Sequence, residues 1–182
     1  MIYGFARRWA AAGVIGVIRD QLCRKVRLAS GKTPRAASAI VDSQSIKASE
    51  TVGKATRRWD GGKLINGRKR HLISDNSGLV LLVMVTDAAA QVSLVARELL
   101  FRLALDRSPS AGRQGPRRWV VERSWSWIMR ARRHCRDYER LPEMSESLIT
   151  WAAITLMTRR LTRRSSRPAT QVTTWTPVAQ AA

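Results

Sequence analysis

The sequence predicts an α/β domain in which a three-stranded antiparallel meander is covered by helices. Three observations predict it. Residues 68–75 and 79–86 are strand-like runs joined by Asn76-Ser77-Gly78, a turn signal of the hairpin kind. Ala39-Ile40-Val41 is a third short apolar run, ending at Asp42 and followed by Ser43-Gln44-Ser45-Ile46-Lys47. The apolar residues on either side of these runs recur at helical spacing instead.

In chain order, residues 1–28 place Phe5, Trp9, Val14, Ile18 and Leu22 on one stripe and end in Arg24, Lys25 and Arg27, as an amphipathic helix or helix pair would. Residues 29–38, rich in Gly, Pro, Ser and basic side chains, read as a linker. The first strand delivers Asp42, expected near its end. After the meander, residues 93–105 carry Leu94, Val95, Leu99, Leu100 and Leu103 on a helical stripe, and Ser108-Pro109-Ser110-Ala111-Gly112 breaks it. Residues 119–133 and 145–164 predict two more helices, the second with Leu148, Trp151, Ala152, Thr155 and Leu156 inward. The expected organisation is a helical region and linker over 1–38, a core over 39–164, and an unstructured tail over 165–182. No internal repeat is visible.

The 182 residues hold 33 Lys and Arg against 13 Asp and Glu, a formal charge of +20, yet 45% are apolar. That apolar share is enough for a core and too high for a disordered polycation. A charge this large repels itself unless a polyanion neutralises it, which points to nucleic acid. An anionic membrane is the competing partner. Its only candidate insert, Ala10 to Ile18, falls well short of the ~20 residues a spanning helix needs. Ile18-Arg19-Asp20 offers no small-residue cleavage site for export. Cys23 and Cys135 lie far apart, without the spacing of a disulfide framework or a zinc knuckle. The expected compartment is a reducing cytoplasm.

Two carboxylates attract a chemical reading. Cutting and joining phosphodiesters with metal assistance uses two divalent ions about 3.5–4 Å apart held by acids on rigid elements, and magnesium favours such oxygen ligands. Asp42 sits in the first strand, and Glu122 follows Arg117-Arg118-Trp119-Val120-Val121 near the start of a helix. From spacing alone, Asp42 is equally readable as a turn residue satisfying backbone N–H groups. Glu122 is equally readable as an i,i+4 partner of Arg118 or Ser126 on a solvated face.

Several blocks in order carry a resemblance: Ile40-Val41-Asp42-Ser43-Gln44-Ser45-Ile46-Lys47, Asp60-Gly61-Gly62-Lys63 through Gly67-Arg68-Lys69-Arg70-His71, Arg118-Trp119-Val120-Val121-Glu122-Arg123, Asp137-Tyr138-Glu139-Arg140, and Leu156-Met157-Thr158-Arg159-Arg160-Leu161. From Ala39 to Arg164 the chain resembles the DDE transposases of small bacterial insertion sequences. The resemblance implies a ribonuclease-H-like fold, Mg²⁺ as cofactor, and double-stranded DNA at transposon ends as partner. A homo-oligomer is compatible with it. It implies Asp42 as the first catalytic aspartate and Glu122 as the catalytic glutamate, both metal ligands, with Arg118 and Arg130 orienting the glutamate and contacting phosphate.

The family's second catalytic aspartate, which ends a strand, has no counterpart here. The helix resembled by residues 96–103 runs almost directly into Gly115-Pro116-Arg117-Arg118-Trp119. Asp106 and Asp87 are the nearby acids, and neither has the right context. The fold is therefore expected to be incomplete, with its second-half strands missing and one edge of the first strand open. Two acids would then face two cations, so strand transfer is expected to be severely reduced. The alternative function is a non-catalytic DNA-binding remnant.

Arg68, Lys69, Arg70, Arg118, Arg130 and Arg133 are the expected DNA contacts, because there are too few acids to pair the arginines. The bland reading of such runs is a solvated face. Trp119, Trp125 and Trp127 read as core fillers, since Val121, Trp125 and Ile128 share a stripe. His71 and His134 are isolated, and Ser43 and Ser45 lack a base that would make them nucleophiles.

Overall fold

The computed structural model describes residues 2–106 and 118–165. The chain begins with helices α1 (Ile2–Ala11) and α2 (Val14–Leu28). They form the helix pair, because Gly13 adopts φ +69° between them, a left-handed turn that stops one helix and starts the next. Strands β1 (Ile40–Lys47), β2 (Arg58–Asp60), β3 (Ile65–Ser74) and β4 (Val80–Asp87) follow, then helices α3 (Val92–Asp106), α4 (Arg118–Met129) and α5 (Pro142–Ser165). A 3-10 turn, Arg132–His134, follows α4. No described helix is long and apolar enough to cross a membrane.

All strand pairs are antiparallel. Long β3 is the centre: β1 pairs along one edge (Ile40 with Ser74, Lys47 with Gly67). On the other edge β2 pairs with residues 65–67 and β4 with residues 68–74. The meander is thus present, with a fourth strand added. That strand, β2, spans only Arg58-Trp59-Asp60, too short to show a period in sequence. The expectation for Asp42 is corrected in one respect. The strand continues to Lys47, so Asp42 stands near its start. Among the described strands β1 pairs only with β3, leaving its second edge open.

Alternation along the strands sends side chains to two faces, each with its own core. On one face Leu72, Val83 and Val85 pack with Val121, Trp125 and Ile128 of α4 and with Ile149 and Ala153 of α5. On the other, Ile73, Leu79 and Leu81 pack with Ile15, Cys23 and Val26 of α2, Leu99 of α3, and Ile154 and Met157 of α5. The N-terminal helices therefore share the core of the sheet. Leu72 and Ile73 are wholly buried, and truncating such a residue costs about 2–5 kcal/mol. Among the glycines, Gly67 is needed where β1 crosses closest. A Cβ there would lie 1.9 Å from the Ile46 carbonyl oxygen, so only glycine lets the pairing continue.

Two buried ion networks complete the body. Arg27 of α2 pairs with Asp75 just after β3, tying the first helices to the β3–β4 turn. Asp75 also accepts the N–H groups of Ser77 (2.8 Å) and Leu79 (2.9 Å), which shapes that turn. The second network surrounds Asp137 and is described below. The expected tail lies outside the described residues, as does the break at 108–112.

Candidate functional site

Asp42 pairs directly with Leu72, and directly paired residues point to the same face. Leu72 packs against Val121 and Trp125, so Asp42 belongs to the face covered by α4, where it is half-buried. The direction of α4 follows from its two ends. Ser124 Oγ donates to the Gly78 carbonyl in the β3–β4 turn at 3.1 Å. Beyond the helix, Arg70 Nη1 donates to the His134 carbonyl at 2.8 Å. The helix therefore runs along the sheet from the turn end towards Arg68. Glu122 lies in its first half, next to the inward Val121 but exposed. Asp42 thus lies on the sheet face that α4 covers, and Glu122 lies exposed in the first half of that helix.

A third acid does not join them. Among the described residues no three His, Cys, Asp or Glu side chains gather as a metal-holding group. Residues 107–117 contain no acid at all. Asp87 pairs with Arg68, four residues along β3 from Leu72, which is about 13 Å along the strand. Its carboxylate accepts the Ala89 N–H at 2.9 Å. The side chain of Asp106 lies outside the described residues. The donors described do not by themselves fit a two-ion centre.

The six predicted DNA contacts divide. Arg68 and Arg70 are buried, and their phosphate-contacting role is corrected. Arg68 donates to the carbonyls of Thr56 (3.1 Å), Glu139 (2.7 Å) and Arg140 (3.0 Å) and to the Thr56 hydroxyl at 2.7 Å. Arg70 donates to the carbonyls of His134 (2.8 Å) and Arg136 (3.3 Å). Both face Asp137, at 3.4 and 3.9 Å. Burial holds the Arg70 guanidinium below its ordinary range, and the Asp137 charge works against that. Lys69 points to the opposite face, donating to the Ala90 carbonyl at 3.0 Å and pairing with Asp60 at 3.6 Å. Arg130 is exposed. Arg133 is exposed too, and it pairs with Glu139 at 2.5 Å. Arg118 opens α4, and its side chain is outside the described residues.

Asp137 is the residue that sequence reasoning under-rated. It is 1% exposed and accepts from Ser145 Oγ (2.8 Å) and the Glu139 N–H (3.1 Å) as well as from the arginines. Its backbone bridges to β1: the Asp137 N–H donates to the Lys47 carbonyl at 3.0 Å and its carbonyl accepts the Ser49 N–H at 2.7 Å. It thereby fixes the loop after α4 against the far end of the sheet. The only sequence signal was its place in the Asp137-Tyr138-Glu139-Arg140 block.

Both histidines are buried. His71 Nε2 lies 3.0 Å from the Thr86 hydroxyl, and burial, with Lys69 adding to it, lowers its pKa to about 4. His134 is lowered to about 4, chiefly by burial, with Arg70 adding to it. Neither carries charge at neutral pH, which fits structural roles. Asp60, at the surface, is held below the carboxylate range chiefly by the hydroxyl of Ser45. Ser45 therefore has a hydrogen-bonded carboxylate beside it, which the sequence did not reveal.

Comparison with known proteins adds one family. Residues 36–113 match the family model of the transposase DDE domain, a stretch that holds the whole sheet and α3, includes Asp42, and ends before α4 and Glu122. No curated protein and no solved structure matches the chain.

Proposed function

From the match of residues 36–113 to the transposase DDE domain family model, we propose that the chain is a member of that family that binds double-stranded DNA at transposon ends and that its phosphodiester cleavage and strand transfer are impaired. The observation that supports this reading is that Asp42 lies on the sheet face covered by α4, the helix that carries Glu122, while no three His, Cys, Asp or Glu side chains gather among the described residues. Asp42 and Glu122 are the proposed catalytic pair. When bound by a complete set of acids, Mg²⁺ would activate an attacking oxygen and stabilise a leaving one. Here two carboxylates alone would have to offset the repulsion between two cations, so the chemical step suffers while duplex binding does not.

Binding draws on the excess of positive charge, +20 over the chain, and on exposed arginines such as Arg130 and Arg133. Such contacts position a duplex without reading its sequence. The test is a gel-shift and nicking assay with the full chain, a duplex carrying terminal inverted repeats, and Mg²⁺. A shift that weakens steeply with added salt, without nicking, is the expected result. Nicking that disappears in Asp42→Ala and Glu122→Ala would keep the site and overturn the impairment. Nicking that survives both would overturn the site, and no shift would overturn DNA binding.

A further inference from the structure

On the other flank of α4 lies a cavity of about 560 Å³ that the proposed catalytic pair does not use. It opens between the end of α2, the β3–β4 turn, α4 and the last turns of α5. The cations lining it are Arg27, Lys32, Arg123, Arg160 and Arg163, and among the described residues no Asp or Glu lines it. Arg27 pairs with Asp75, and Arg160 Nη1 donates to the Ser77 carbonyl at 3.5 Å. Lys32, Arg123, Arg160 and Arg163 come from three separate segments, so their convergence is a product of the fold.

The cavity has a built aromatic wall. The Arg123 guanidinium carbon lies 4.8 Å from the Trp127 ring centroid, and that of Arg160 lies 4.4 Å from the same centroid. Arg123 also stacks on Trp119 at 4.7 Å. One indole thus holds two guanidiniums by attraction to its electron-rich face. These contacts fix the planes of the arginines, which lowers the conformational cost of ordering them on a ligand. Within the cavity, Arg123 Nε is buried without a hydrogen-bond acceptor. The rim offers hydroxyl and amide groups: Ser77 and Asn76 lie in the turn, and Lys32 Nζ donates to Ser77 Oγ at 2.7 Å.

We propose that this cleft binds a phosphate-class oxyanion, gripped by Arg123 and Arg160 against Trp127, with Lys32 and Arg163 at the rim. Planar guanidiniums match the paired oxygens of a phosphate, which is why the ligand class is an oxyanion and not a neutral molecule. The same phosphate can come from a nucleic-acid backbone or from free phosphate. The site rests on its own residues and stands whether or not the Asp42 and Glu122 pair is active.

The test measures binding of inorganic pyrophosphate by calorimetry and of a labelled 20-base-pair duplex of arbitrary sequence by anisotropy. The proteins are the full wild-type chain, Arg160→Gln, Lys32→Gln and Arg97→Gln. Arg97 is an exposed α3 residue outside the cleft and serves as the control. Arg160→Gln is expected to weaken at least one probe about tenfold, and Lys32→Gln about threefold, with Arg97→Gln at wild-type affinity. Loss confined to the duplex assigns the phosphate to a nucleic-acid backbone, and loss of pyrophosphate as well assigns the cleft to free phosphate too. Lys32 is exposed on a loop, so its variant keeps the test decisive should Arg160→Gln fail to fold. Equal affinities of Lys32→Gln and Arg97→Gln for both probes would overturn the proposal.

Discussion

Two groups of arginines make opposite use of the same side chain. Around Asp137, Arg68 and Arg70 are sealed from water, and their donors end on one carboxylate and on carbonyls of the loop after α4. In the cleft, Arg123 and Arg160 lie against Trp127, and among the described residues no Asp or Glu lines the cavity. The first group makes the fold depend on its charges. The second stacks its charges on an aromatic ring beside an open cavity. A count of basic residues cannot separate these roles, because the difference lies in whether the fold seals the guanidinium around a buried acid or leaves it at a cavity wall.

The sharpest way to break this contrast is to remove the central acid. Asp137→Ala leaves two buried guanidiniums without their counter-charge and is expected to cost about 3–5 kcal/mol of stability, read from the urea unfolding midpoint and slope. A loss under ~1 kcal/mol would mean that the carbonyls alone satisfy Arg68 and Arg70.

Acid is the next lever, since His71 and His134 flank these buried groups. Each folded-state pKa is depressed to about 4, so the native state resists protonation that the unfolded chain accepts near pH 6.5. No stability is lost above the unfolded value. Below it, stability falls until the folded pKa is passed, at about 2 kcal/mol per histidine between pH 7 and pH 5. Glu146 acts in the opposite sense. Its carboxyl is raised chiefly by burial, so the native state binds that proton more tightly and gains stability as pH falls. Urea unfolding at the two pH values is expected to show a net loss, and His134→Gln should shrink it.

The cleft arginines should respond differently. Arg160→Gln is expected to cost about 1 kcal/mol in thermal unfolding, in keeping with the loss of one half-buried cation stacked on an indole. A cost near that of Asp137→Ala would erase the distinction between the two groups. A comparably small effect is expected at Arg133, whose side chain is 62% exposed in its pair with Glu139. Arg133→Gln should cost about 0–1 kcal/mol, and its loss should shrink further in high salt.

Much of the architecture was legible beforehand. The runs around Asn76-Ser77-Gly78 became β3 and β4 because alternation and a glycine at φ +74° are local properties. The stripe Val121, Trp125 and Ile128 became the buried face of α4 for the same reason. β2 was not legible, since three residues hold no period and exist as a strand only through pairing with residues 65–67. Arg68 and Arg70 were misread because they stand in a basic run, while the acid that neutralises them lies almost seventy residues on, at Asp137.

Chain order alone determined the longer strands and helices, the charge excess and the family blocks that marked Asp42 and Glu122. Each depends on composition or on neighbours a few residues apart. Only the tertiary structure decided which charges are internal, that Asp42 faces the helix carrying Glu122, and that Arg123 and Arg160 meet on one tryptophan. Burial and charge pairing are set by distance in space, and packing joins segments that local pattern treats as independent.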